Sequence, residues 1–239
     1  MHFRLKKKET FRLHRKTAFT AEKLRKELHL GVSVSTINRF LKRKGLVRKY
    51  GYHRRQYYQE TTHMHLGNTK KVGYLQMDVK YLTPQLTGLT WTCFEYAVVD
   101  IYSRYKDAVI LNQLDEDGAI LTLTEILSRL PFKPVFLQTD NGLEFQERFS
   151  RIVRAKGLKH HYVHKNTPNE NAVVERSFRT DEDEFFFFRY KGAKDYDDLR
   201  SQFAQYLHFY NHKRPHLGID LKYPIEVIQL GVVAKVVKD

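Results

Sequence analysis

Two carboxylates sit where a folding chain can least accommodate them. Asp78 stands in the middle of Tyr74-Leu75-Gln76-Met77-Asp78-Val79-Lys80, which reads as a β-strand, and Asp140 ends a short buried strand that begins Val135-Phe136-Leu137. An acid in a core strand is costly unless it is paired or bound to metal. Asn141-Gly142 signals a turn directly behind Asp140, placing that carboxylate at a strand's carboxyl end, where an open α/β sheet has its crevice. Glu175 follows with 34 residues between it and Asp140, one turn into an expected helix. Three such acids point to one site for hard divalent cations. Oxygen ligands suit Mg²⁺, and two ions roughly 3.5–4 Å apart stabilise the attacking and leaving oxygens of a phosphodiester together.

Four stretches, QMDVK (76–80), TDNGLEF (139–145), NENAVVER (169–176) and YNHKRPH (210–216), occur in that order. Together they resemble the three acidic motifs and the later YNxxRPH signature of insertion-sequence transposases with a retroviral-integrase-type (DDE) core. The resemblance covers roughly Lys70 to Ile228. It implies an α/β fold, an RNase H-like mixed five-stranded sheet with flanking helices; the pattern of strands and helices alone gives only mixed α/β. It also implies that Asp78, Asp140 and Glu175 are catalytic and hold Mg²⁺, with Mn²⁺ substituting. The implied reaction nicks an element end and joins the freed 3′-hydroxyl to target DNA, in a homo-oligomer that bridges two ends. Ala172 stands where the family usually has Gly, and Val173 where it often has Lys, a departure that touches one DNA contact and not the metal ligand.

The charge is unevenly placed. Residues 1–70 hold 19 Lys and Arg against 4 Asp and Glu, whereas residues 71–239 hold 23 of each. A basic module joined to a neutral one points to double-stranded DNA as partner. The single cysteine, Cys93, excludes a disulfide framework and a four-Cys zinc site. It also speaks against the His-His-Cys-Cys zinc domain of retroviral integrases. With no signal peptide and no apolar run near 18 residues, the expectation is an intracellular, nucleoid-associated protein without membrane contact.

The expected organisation is a small all-α helix-turn-helix region (1–50), a basic and aromatic linker (51–70), a catalytic core (71–230) and a tail (231–239). Residues 1–19 read as either an arm or a helix. Thr20 is a plausible cap for a helix carrying Leu24 and Leu28; Gly31 breaks it, Val32-Ser33-Val34 reads as extended, and Ser35 would cap a second helix with Ile37, Phe40 and Leu41 inward. In that second helix Thr36 and Arg39 are the base-edge candidates, with Lys42 and Arg43 toward phosphate. Arg54 and Arg55, among the linker tyrosines, would follow a backbone, as would Lys80, Lys165, Arg176 and Arg179 around the acids.

In the core, three antiparallel strands precede a helix at 119–130, the Asp140 strand, a helix at 144–156, a strand at 158–163, the Glu175 helix and a last helix at 195–210. Asp100 reads as structural, and Asp115-Glu116-Asp117 as the acidic start of a helix. His160, His161 and His164 invite a zinc reading but lack a fourth ligand. Phe185 to Phe188 is too short to span a membrane and suits core or an oligomer contact. The rival readings are a truncated, catalytically silent DNA-binding relic or regulator of the element, suggested by a start so close to the helix-turn-helix, and a different RNase H-like nuclease that cuts without joining.

Overall fold

The computed structural model describes residues 2–17, 19–46, 69–163 and 168–236. The chain divides into two units, residues 1–64 and 65–239.

The first unit contains α1 (His2–Thr17), α2 (Ala21–Glu27) and α3 (Val34–Arg43). Residues 2–17, open between arm and helix in the sequence, are helical. Leu24, Leu30, Ile37, Phe40 and Leu41 bury together with Phe19, and Gly45 closes α3 at φ +67°. The start of α3 departs from expectation. Ser33, not Ser35, caps it, its side chain accepting the Thr36 N–H at 3.3 Å, so Val34 is helical rather than extended. A serine two residues earlier offers its hydroxyl to the third helical N–H, the usual geometry of such a cap.

The second unit is built on one sheet. The chain runs β1 (Tyr74–Leu82), a single turn α4 (Pro84–Thr87), β2 (Cys93–Asp100), β3 (Lys106–Leu111), α5 (Glu116–Arg129), β4 (Phe136–Thr139), α6 (Glu147–Ala155), β5 (Lys159–Tyr162), α7 (Ala172–Asp181), α8 (Tyr196–His212) and α9 (Pro224–Val236). The strand order is β3-β2-β1-β4-β5. The first three strands form the expected antiparallel meander, and β4 and β5 add in parallel. This is the RNase H-like mixed five-stranded sheet with flanking helices. Period 2 splits the strands between two cores. Leu75, Met77 and Leu137 face Leu123, Ile126 and Phe149 of α5 and α6. Ala97, Val99 and Ile110 face Val174, Phe178 and Phe203 of α7 and α8.

Asp115 accepts the Gly118 N–H at 2.7 Å and caps α5, as its acidic run suggested. The expected helix at 144–156 is instead a 3₁₀ turn (Leu143–Phe145) followed by α6. After α7 the chain tightens into a π-helical turn, Glu182–Phe186, that buries Phe185 and Phe186 and leaves Phe187 exposed. α9 runs through residue 230, where the boundary between core and tail was expected. Among the described residues, no helix is long and apolar enough to cross a membrane.

Candidate active site

β1 and β4 pair in register, Gln76 opposite Gln138, and their pairing stops there. Two residues on, and on the same face, each strand presents an acid: Asp78 and Asp140. The sheet splits at this point, since β1 continues with β2 while β4 turns away, and the crevice opens at the carboxyl ends of the parallel pair. The Val79 N–H donates to Asp78 Oδ1 at 2.8 Å, and the Gly142 N–H to Asp140 Oδ1 at 3.0 Å. The turn behind Asp140 is fastened further: Asn141 Nδ2 donates to the Val163 carbonyl at 2.9 Å, and Gln146 Nε2 to the Gly142 carbonyl at 2.8 Å. Glu175 lies in the first turn of α7, on its exposed side.

The three acids share one field. Burial pushes the Asp78 carboxyl up to about 7; the Val79 N–H opposes this, and Asp140, Glu175 and Glu144 add repulsion. Glu175 is raised by desolvation and then by Asp140. Glu144 was missed as a site residue, yet desolvation and Asp140 raise its carboxyl too. Its signal was present, since TDNGLEF carries two acids four residues apart. Gly142 makes room for it: a Cβ there would stand 2.7 Å from the Glu144 carboxylate. Among the described residues, no three His, Cys, Asp or Glu side chains converge tightly enough to enclose a metal ion as they stand. The donor set nonetheless fits a hard cation: all-oxygen, partly desolvated and mutually repelling.

The other expected site residues fall in several places. Arg39, Lys42 and Arg43 are exposed on α3, whereas the Thr36 hydroxyl lies 3.0 Å from that of Ser33. Lys80 has a protein partner, Glu182 at 2.7 Å, and its ammonium lies over the Phe178 ring. Arg176 and Arg179 are exposed on α7 beside Glu175. Arg54, Arg55 and Lys165 lie outside the described residues, as does His164. Asp100 is structural: its carboxylate accepts from the Ser103 N–H and hydroxyl, both at 2.7 Å, and from the Gly73 N–H at 2.7 Å. His160 supports the Asp140 turn. Thr139 Oγ1 donates to the Asp140 carbonyl at 2.9 Å, so it accepts from His160 Nε2 at 3.0 Å, leaving Nδ1 to accept from Ser150 Oγ at 2.9 Å.

Comparison with known proteins bears on the fold that carries these residues. Residues 156–224 match the family model described as Integrase core domain. A protein of Spiroplasma virus SpV1-C74 named "Putative integrase ORF3" is 25% identical over 178 residues, which are 66% of this chain and 48% of that protein. The chain thus spans about half the length of that curated relative. Among solved structures, the catalytic core domain of BIV integrase superposes with a TM-score of 0.53 at 19% identity, over 68% of this chain and 97% of that one. The HTLV-2 integrase catalytic core domain in complex with magnesium gives 0.52 at 17% identity, over 65% and 96%. The simian T-cell lymphotropic virus intasome chain gives 0.55 at 17% identity, over 91% and 73%. The fold is therefore that of a retroviral integrase catalytic core. Residues 156–224 are, in addition, similar in sequence to the integrase core domain.

Proposed function

We propose that this chain is a DNA transposase, a polynucleotidyl transferase that nicks element ends and joins the freed 3′-hydroxyl to target DNA. The observation that carries the reading is the meeting of Asp78, Asp140 and Glu175 in one field where the parallel strands part. Asp78, Asp140 and Glu175 are the residues that would hold Mg²⁺, with Mn²⁺ able to substitute; the bound ions supply Lewis-acid activation of the attacking oxygen and neutralise charge developing on the phosphate. The chain's own task is to fix oxygen donors, which the N–H groups of Val79 and Gly142 do for the two aspartates. Arg176 and Arg179 stand beside Glu175 as phosphate contacts. Residues 1–64 bind DNA, with α2 and α3 as a helix-turn-helix whose exposed Arg39, Lys42 and Arg43 face the duplex. The HTLV-2 core is known in dimeric and trimeric forms, and this chain is expected to act as a homo-oligomer.

The test is a strand-transfer assay with labelled DNA carrying the element's ends, a target plasmid and Mg²⁺. Asp140→Asn is expected to lower joined product by roughly 10²–10³-fold or more while DNA binding persists. Binding without nicks or joints from the wild type would mark a DNA-binding relic. Nicks without joints would mark a hydrolase.

A further inference from the structure

Gln76 and Gln138 are amides buried to 2% and 1% exposure, directly opposite each other on β1 and β4. Each stands two residues before an acid of the site, in the repeated pattern Gln-x-Asp: QMD at 76–78 and QTD at 138–140. Both side chains reach the amino end of α7, the helix that carries Glu175. Gln76 Oε1 accepts from the Val173 and Val174 N–H groups, each at 3.1 Å. Gln76 Nε2 donates to the Glu170 carbonyl, and Gln138 Nε2 donates to the same oxygen at 2.6 Å. Gln76 has one workable amide orientation, because the reverse would set its NH₂ against the helix's own donors.

This is a helix cap supplied by the sheet. The first N–H groups of a helix have no partner within it. The residue placed to cap α7, Asn171, makes no side-chain cap bond, and among the described residues its buried Oδ1 has no partner. Gln76 takes over that role from a strand instead of the preceding residue. Because Gln76 and Asp78 share one strand face, and Gln138 and Asp140 another stretch of the same face, the bonds that hold the Glu175 helix originate on the two strands that carry the other acids.

We propose that Gln76 and Gln138 are positioning residues that fix the reach from Glu175 to Asp78 and Asp140, and so set the affinity of the three-acid site for divalent cations. The inference rests on the reading of those acids as metal ligands. Its test is Mn²⁺ binding to the full chain, followed by electron paramagnetic resonance, for wild type, Gln76→Leu, Glu175→Gln and the double variant. Gln76→Leu is expected to weaken Mn²⁺ binding about tenfold or more, with circular dichroism unchanged. In the Glu175→Gln background the same substitution is expected to change nothing further, because the ligand it positions is gone. Wild-type affinity in Gln76→Leu, or losses that multiply independently in the double variant, overturns the proposal. If Gln76→Leu does not fold, Gln138→Met, which removes one donor and keeps the volume, carries the same cycle. Equal Mn²⁺ affinity of wild type and Glu175→Gln would instead reject the ligand reading itself.

Discussion

At the scale of single residues, the site depends on neutral groups as much as on acids. Burial holds the His160 ring down to about 4 from its ordinary 6.5, with Arg154 and His161 adding to the effect. A histidine whose folded value is depressed contributes stability that is full above the unfolded value and is lost as the pH falls from 6.5 toward 4, since the unfolded chain then takes up the proton first. Discounted for the ring's partial exposure to solvent, the contribution is on the order of 2 kcal/mol. His160→Gln keeps a group able to meet Thr139 and Ser150 but does not titrate. In urea unfolding, the wild type is therefore expected to lose stability relative to His160→Gln between pH 6.5 and 4; a constant difference across that range would refute the assignment. Asp78 and Asp140 stand out in the sequence because each breaks a local rule, a charge in an apolar strand or beside a tight turn, whereas Glu175, an ordinary acid in a helix's first turn, stands out only through the resemblance. Gln76, Gln138 and His160 do not, because a buried amide or imidazole looks like any strand residue until its partners, 10 to 98 residues away, are known.

At the scale of elements, the YNHKRPH stretch is a set of ties. Asn211 brackets the Lys106 backbone on edge strand β3, accepting its N–H at 2.9 Å and donating to its carbonyl at 2.7 Å. Arg214 pairs with Glu184 of the π-helical turn through two bonds, at 2.7 and 2.8 Å, and donates to His216 Nδ1 at 3.0 Å. The motif was recognisable as a signature, but its task depends on the π-helical turn, which no periodicity announces. A second tie buries Lys106 of β3 between Glu95 of β2 and Asp181 at the end of α7. Burial pulls the ammonium down, but Asp181 and Glu95 outweigh it and hold Lys106 above its ordinary value. Two carboxyls against one ammonium leave an excess negative charge, and burial together with Glu95 raises Asp181 well above the usual carboxylate range despite Lys106 beside it. That environment favours the neutral form of Asp181, and Asp181→Asn is expected to shift chemical-denaturation stability by less than about 1 kcal/mol. Lys106→Met leaves the two acids without their cation and is expected to cost roughly 3–5 kcal/mol. Equal costs for the two variants would overturn the raised Asp181 carboxyl.

At the scale of the whole molecule, chemistry and charge are divided between parts of the chain. The order of apolar strands and helices gave the mixed α/β class and the antiparallel meander, the resemblance gave the RNase H-like sheet, and the charge asymmetry was plain in composition; what remained out of reach was the extent of α9, an apolar helix whose sequence reads equally as a closing tail. The division has a measurable consequence under the proposed function. Residues 71–239 carry equal numbers of acidic and basic residues, so they gain little from the long-range attraction of a duplex, while residues 1–70 carry nearly five bases for every acid. Affinity for DNA should therefore fall steeply with salt, with a slope in log K against log salt of about −0.9 for each phosphate neutralised. Replacing exposed Arg39, Lys42 and Arg43 together with Gln is expected to flatten that slope by up to roughly 3. Because the acids lie on the other unit, the same triple variant should keep the wild-type Mn²⁺ affinity. An unchanged salt slope would remove α3 from the DNA interface, and a parallel loss of Mn²⁺ binding would mean that the basic helix and the acidic site are not independent.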